Sequence, residues 1–130
     1  MATILIVEDD PAVGRLLDLA LAVDGHTTEI VTSGREARER LDGGLTDLVL
    51  LDVMLPDVDG LTVLDELRSR PGWADTRVIV VSALDGDVDV WRGWANGTDY
   101  YLTKPFDLAH LRVVVDRLLD GEDLSPARSA

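Results

Sequence analysis

Five short apolar runs, each followed by an amphipathic stretch, limit this chain to few folds. The runs are TILIV (3–7), HTTEIV (26–31), DLVLL (47–51), RVIVV (77–81) and YYL (100–102). Most are apolar on both faces, which is typical of strands covered on both sides of a parallel sheet. Apolar residues recur at helical spacing in the stretches that follow, which predicts helices over 11–24, 34–42, 60–69, 86–96 and 107–119.

This alternation predicts an α/β fold. A strand followed by a helix, five times over, makes five βα units, and right-handed crossovers place the helices on both faces of the sheet. The prediction is a doubly wound three-layer sandwich around a five-stranded parallel sheet. Local signals support the first helix, because Asp10 is a good N-cap, Pro11 suits the first helical position and Gly25 suits the end.

The size and charge of the chain exclude several classes of protein. Its 130 residues suffice for one domain with a buried core, and the absence of cysteine excludes disulfides and thiolate metal sites. No apolar run approaches the ~20 residues of a membrane helix, and a net charge of -13 argues against binding nucleic acid or an anionic membrane. We expect a cytoplasmic protein with one domain over 1–120. Residues 121–130 are predicted to be a flexible tail or the start of a linker to an absent output domain.

Polar residues follow four of the five predicted strands. They are Glu8, Asp9 and Asp10 after the first strand, Asp52 after the third, Ser82 after the fourth and Lys104 after the fifth. Ligands of open parallel sheets bind beyond the carboxyl ends of the strands, so these side chains are predicted to converge on one binding edge. Asp10 is assigned to helix capping. Lys104 stands out because it is the only lysine among 12 basic side chains.

Converging carboxylates need a cation or a proton between them. A like-charged pair ~4 Å apart costs about 1 kcal/mol in water and about 4 kcal/mol at an effective dielectric near 20. An all-oxygen site with few protein ligands suits Mg²⁺, which commonly bridges to a phosphate. A carboxylate beside such a metal can attack phosphorus and form an aspartyl phosphate.

The motifs, taken together, resemble the receiver domain of two-component response regulators. Glu8-Asp9, Asp52 within LLDVMLPDVDG, Ser82 within VVSA, and the segment DYYLTKPF match that family in order and spacing over roughly residues 2–120. The resemblance implies a flavodoxin-like fold with strand order 2-1-3-4-5. It also implies a phosphoprotein that acts in signal transduction.

The resemblance implies a role for each matching residue at the phosphorylation site. Asp52 is expected to be the phosphoacceptor. Asp9, Asp52 and the backbone carbonyl of Met54 are expected to bind Mg²⁺, with Mn²⁺ as an alternative, and Glu8 to hold the metal through water. Ser82 and Lys104 are expected to bind the phosphoryl group, and the peptide bond between Lys104 and Pro105 is expected to be cis.

Other matching residues imply how the signal leaves the site. Ser82 and Tyr101 are expected to move on phosphorylation, and Met54 and Leu84 match positions that tune the lifetime of the phosphoryl group. The fourth predicted helix, the fifth strand and the fifth predicted helix form a surface where many receivers dock, and Val90, Trp94 and Tyr100 are predicted to lie on it. For Trp94, packing as part of the core is an equally weighted alternative.

The implied function is a switch that receives a phosphoryl group from a sensor histidine kinase, a phosphotransfer protein or a small phosphodonor. The altered surface would control a downstream partner, dimerisation or an attached output domain. Self-phosphorylation and self-dephosphorylation are the only reactions expected, so the chain is not predicted to be an enzyme. The alternative is a Mg²⁺-dependent aspartyl phosphatase, which usually carries a second acid where this chain has Met54.

The uncharged residues on the predicted docking surface limit the predicted partners. Receivers of winged-helix transcription factors usually dimerise through charge pairs, and the matching positions here are uncharged: Val90, Ala95, Tyr100, His110 and Val114. An apolar contact or a different partner is therefore predicted.

His26 and His110 are isolated in the sequence, which predicts surface positions for both.

Overall fold

The computed structural model describes residues 2–44, 46–73, 75–82 and 97–124. Its strands are β1 (Thr3–Val7), β2 (Thr27–Val31), β3 (Leu48–Asp52), β4 (Arg77–Ser82) and β5 (Tyr100–Thr103). Its helices are α1 (Pro11–Val23), α2 (Gly34–Asp42), α3 (Gly60–Ser69) and the C-terminal helix α4 (Leu108–Leu119). Each agrees with its predicted segment to within one residue or so at either end. The helix predicted over 86–96 lies outside the described residues.

All five strands pair in parallel, in the order β2-β1-β3-β4-β5. The fold is therefore the predicted flavodoxin-like, doubly wound sandwich. The register aligns Val7 of β1 with Leu51 of β3, and Asp52 with Val81 of β4. The carboxyl ends of the three central strands consequently reach the same edge of the sheet.

The core consists of one apolar layer on each face of the sheet. Alternate residues of β1 and β3 face α2 and α3 on one side, and the intervening residues face α1 and α4 on the other. Leu5 and Leu51 belong to the first layer, and Ile4 and Leu50 belong to the second. Burial of such a side chain stabilises the fold by about 1.5–3 kcal/mol, which explains why the strand runs are apolar on both faces.

Acidic and hydroxyl side chains begin every described helix. The N-caps are Asp10, Ser33, Asp59 and Asp107, and each accepts a hydrogen bond from a backbone N–H of the first turn. Asp57 adds a contact between distant segments, because its carboxylate accepts hydrogen bonds from the N–H groups of Gly34 at 2.8 Å and Arg35 at 2.9 Å. These backbone donors hold the pKa of Asp57 below its ordinary value of 3.8.

The ends of α1 and α4 enclose His26, which directly precedes β2, and leave the His26 side chain only 8% exposed. The predicted surface position of His26 is therefore wrong.

Within the described ranges, no helix combines the length and the apolar character needed to cross a membrane.

Candidate functional site

The carboxyl edge of the sheet brings together three of the residues that the sequence singles out. Glu8 directly follows β1, Asp52 ends β3, and Lys104 directly follows β5. The Lys104 Nζ lies 2.7 Å from Glu8 Oε1 and 3.1 Å from Asp52 Oδ2. One ammonium group therefore bridges two carboxylates that belong to different strands.

The backbone around the site holds both carboxylates in place. Asp52 Oδ1 accepts a hydrogen bond of 2.9 Å from the N–H of Met54, so each of its oxygens has a partner. Glu8 Oε2 accepts a bond of 3.1 Å from the N–H of Asp10. Glu8 and Asp52 are 2% and 4% exposed, so the site holds its negative charge largely away from water.

This burial shifts the ionisation of both Glu8 and Lys104. Burial raises the pKa of Glu8 above its ordinary value of 4.5, and the nearby charge of Asp52 adds to the rise, although Lys104 and a backbone N–H oppose it. Burial disfavours the Lys104 ammonium, but hydrogen bonds and attraction to Glu8 and Asp52 outweigh that and raise the pKa of Lys104 above 10.5. Lys104 is therefore a fixed positive charge.

Three carboxylates at this edge could hold a metal ion. One carboxylate oxygen from each of Glu8, Asp9 and Asp52 lies within 4.8 Å of the others. In the part of the chain that the structure describes, this is the only such group of three. Against three negative charges Lys104 supplies one positive charge, so a hard divalent cation fits the donor set and the charge.

The start of α3 packs directly against the backbone of Asp52. A Cβ atom added to Gly60 would lie 2.2 Å from the Asp52 carbonyl oxygen and 2.7 Å from the Val53 Cα. The N–H of Gly60 also donates a 2.7 Å hydrogen bond to the Val53 carbonyl. Nothing in the sequence singles out this residue, because a glycine at the start of a helix does not reveal what lies against it.

The remaining predicted site residues are only partly described. Ser82 ends β4, where its backbone pairs with Thr103, and its side chain lies outside the described part. Tyr101 is half-buried against the core layer that faces α2 and α3. The Met54 side chain is 55% exposed beside Asp52. The bond between Lys104 and Pro105 is cis, as predicted.

The predicted partner surface is described at β5 and α4 alone. The Tyr100 hydroxyl lies 3.1 Å from the His110 Nε2, and the two rings are tilted with their centroids 5.9 Å apart. Leu84, Val90 and Trp94 lie outside the described residues. Their predicted roles, like the movement of Ser82 and Tyr101, stay predictions.

Comparisons with known proteins agree with this geometry. The sequence model of the family described as the response regulator receiver domain matches residues 4–116. Transcriptional regulatory protein TcrA of Mycobacterium tuberculosis is 45% identical over 108 residues, which cover 83% of this chain and 42% of that protein.

Solved structures of receiver domains have the same fold as this chain. The signal receiver domain of a signal transduction histidine kinase from Syntrophus aciditrophicus is 35% identical, has a TM-score of 0.87, and covers 95% of this chain and 94% of its own. A CheY-like receiver domain protein from Methanospirillum hungatei is 25% identical, has a TM-score of 0.88, and covers 93% and 95% of the two chains. This chain spans about half the length of the curated relatives that it matches. It belongs to the response regulator receiver domain family.

Proposed function

We propose that this chain is a phosphorylation-dependent switch with Asp52 as its phosphoacceptor. The observation that carries the proposal is the position of the Asp52 carboxylate, which is buried, forms an acidic cluster with Glu8 and Asp9, and contacts the only lysine of the chain. A carboxylate in this position can attack phosphorus as a nucleophile. The neighbouring cation site and ammonium group can stabilise the negative charge on the oxygens of the transferred group. Membership of the receiver family supports the same reading.

The acidic cluster would hold Mg²⁺. Asp9, Asp52 and the carbonyl of Met54 would bind the ion directly, Glu8 would hold it through water, and Mn²⁺ would be an alternative. When bound, the ion supplies positive charge that balances the carboxylates and the incoming phosphoryl oxygens.

The reaction itself is a single displacement at phosphorus. A carboxylate oxygen of Asp52 forms a bond to phosphorus while the bond from phosphorus to the donor breaks, and the leaving group keeps the electron pair. The leaving group would be the imidazole of a kinase or phosphotransfer histidine, or acetate from acetyl phosphate. Lys104 then binds a phosphoryl oxygen as a compact point charge, and the Ser82 hydroxyl would donate a hydrogen bond to the same group.

The transferred group adds a charge of about −1.5 to −2 to the edge of the sheet. Attraction of Ser82 to that group, followed by movement of Tyr101, would alter the surface built by β5, α4 and the segment that precedes β5. A change from 1:99 to 99:1 between the two forms needs about 5.5 kcal/mol of differential binding. The altered surface would control dimerisation, a downstream protein or an attached output domain.

The first test is chemical labelling of the wild-type chain. We expect incubation with Mg²⁺ and acetyl phosphate to add one phosphoryl group per chain, and a chelator to prevent it. Intact-mass spectrometry measures the gain. An unchanged mass under these conditions would contradict the proposal, and repeated turnover of generic phosphomonoesters would identify a phosphatase instead, because we propose that the chain processes no separate substrate.

Metal binding should weaken as the pH falls. The raised pKa of Glu8 means that its carboxylate takes up a proton above pH 4.5, which removes one negative charge from the cluster, while Lys104 stays charged. In the metal-free protein, the same shift makes a stabilising contribution that is complete below pH 4.5 and is lost as the pH rises through the folded-state value. We expect Mg²⁺ affinity to fall as the pH is lowered from about pH 8 to about pH 5.

Isothermal titration calorimetry at several pH values measures this dependence. Glu8→Gln is the matched control, because it removes the titrating group and keeps the shape of the side chain. The variant should bind Mg²⁺ more weakly at about pH 8 and lose most of the change in affinity between the two pH values. An equally steep dependence in the variant would show that a group other than Glu8 controls it.

A further inference from the structure

A second polar cavity lies at the amino-terminal edge of the sheet, opposite the phosphorylation site. It has a volume of about 700 Å³ and lies between the starts of the strands and the end of α4. Five aspartates and one arginine line it, together with His26, and the aspartates are Asp24, Asp47, Asp75, Asp116 and Asp120. None of these residues takes part in the proposed phosphoryl transfer.

Much of this negative charge lacks a basic partner. Arg112 pairs with Asp24, at 2.6 Å and 2.8 Å, and the lining arginine, Arg77, pairs with Asp99 outside the cavity. In the described ranges, by contrast, Asp75 and Asp120 make no ion pair or side-chain hydrogen bond, and Asp116 has no arginine or lysine within ion-pair distance. The cavity therefore has a net negative charge that a cationic group could balance.

His26 provides a second and independent observation. Its Nδ1 accepts a 3.2 Å hydrogen bond from the N–H of Ala2, so the proton of the neutral ring is on Nε2. That Nε2 is buried without a hydrogen-bond partner among the described residues, and the side chain is 8% exposed. The Asp116 Oδ1 is 3.5 Å away, which is too far for a good hydrogen bond. An unused and buried N–H donor thus lies next to Asp116, one of the carboxylates that line the cavity.

These two observations decide between kinds of cation. A metal ion is disfavoured, since the Nε2 that would bind it carries a proton. The carboxylates here also do not come together as the three at the opposite edge do, at least among the residues with described positions. Separate carboxylates suit the spread N–H groups of a guanidinium, and an unused N–H donor suits a carbonyl oxygen. An arginine residue within a peptide offers both groups.

We propose that this cavity is a docking site for an arginine-bearing segment of a partner polypeptide. The guanidinium would bind Asp116 and Asp120 at the end of α4, and a backbone carbonyl of the same segment would accept a hydrogen bond from His26 Nε2. Asp116 is 59% exposed, so its side chain can turn toward the guanidinium and open the path to His26. The site is distinct from the phosphorylation site and does not depend on the proposed function.

The test measures binding of a capped peptide that contains two arginines separated by glycine. We expect saturable binding to the full chain in about 0.15 M salt, where weak charge attraction between exposed groups is largely screened. In nuclear magnetic resonance spectra, the amides of Ala2, Asp120 and Gly121 and the His26 ring should shift. Failure to saturate, or shifts confined to other surfaces, would overturn the proposal.

Matched variants separate specific binding from general attraction to an acidic protein. Asp116→Asn with Asp120→Asn should weaken peptide binding about tenfold or more. Glu39→Gln with Asp65→Asn makes the same change in net charge on exposed residues away from the cavity, and it should alter affinity less than about twofold. Equal losses in the two double variants would contradict the proposal.

Two other ligands test the role assigned to His26. Spermidine offers N–H donors without an oxygen acceptor, and Ca²⁺ offers charge alone. Both should bind this edge about tenfold or more weakly than the peptide. Equal or tighter binding of spermidine would show that the His26 donor is not used, and tight binding of Ca²⁺ here would show that the cavity is a metal site.

Discussion

Replacing Asp52 with asparagine should lower phosphoryl transfer from acetyl phosphate by about 10³-fold or more, because the amide cannot act as the nucleophile. The variant should fold, since asparagine has nearly the same shape as aspartate. In the wild type, one oxygen of Asp52 accepts a hydrogen bond from the Met54 N–H and the other accepts one from Lys104, whereas the single amide oxygen of asparagine can keep only one of these bonds. The substitution also removes the repulsion between Asp52 and Glu8, so we expect only a modest change in the free energy of unfolding.

Asp59→Asn is the matched control for this experiment. Asp59 lies at the end of the loop that follows Asp52 and caps α3 by accepting a hydrogen bond from the Leu61 N–H. Asparagine caps helices about as well as aspartate, so this variant has the same change in charge and should retain phosphorylation. Intact-mass spectrometry with peptide mapping measures both variants. Wild-type incorporation by Asp52→Asn would show that another carboxylate is the acceptor.

Local signals in the sequence were sufficient to predict most helix and strand bounds. Helix α1 shows this best, because its start and end signals act within a few residues. The structure confirms Asp10 as the N-cap, Pro11 in the first turn and Gly25 with a positive φ after the end. The central strands β1, β3 and β4 were equally clear, because a parallel sheet covered on both faces needs continuous apolar runs. The edge strand β2 was less clear, since it carries polar residues and only Val31 is buried. Strand order, in contrast, came from resemblance to the family, since no local pattern states which strands are neighbours.

Contacts between distant segments were much harder to predict. Glu8 was expected to act on a metal through water, and its direct 2.7 Å contact with Lys104 was not foreseen. His26 begins the second predicted strand and has polar neighbours, so a surface position was expected. In the structure the ends of two helices enclose it. In both cases the deciding partner is far away in the chain, where periodicity and capping signals carry no information.

The second large expected effect concerns Gly60, which the sequence alone gave no reason to place against Asp52. Gly60→Ala would put a methyl group 2.2 Å from the Asp52 carbonyl oxygen and 2.7 Å from the Val53 Cα. Both are backbone atoms, so the clash cannot be relieved by rotating a side chain, and either α3 or the end of β3 must move. We expect a loss of about 3 kcal/mol or more in the free energy of unfolding, at the upper end of the effect of overpacking.

Gly14→Ala is the matched control, because Gly14 is also a buried helix glycine and its added methyl group meets side chains only, at ordinary contact distances of 3.4 Å from Ile30 and 4.0 Å from Glu8 Cγ. Alanine is favoured over glycine inside a helix by about 1 kcal/mol, so this variant should be as stable as the wild type or more stable. Urea unfolding measures both. Because any displacement in Gly60→Ala acts on the backbone of Asp52 itself, the fraction that remains folded should also accept a phosphoryl group more slowly than Gly14→Ala does. Equal stability and equal labelling rates in the two variants would show that the contact between α3 and β3 is loose and does not position Asp52.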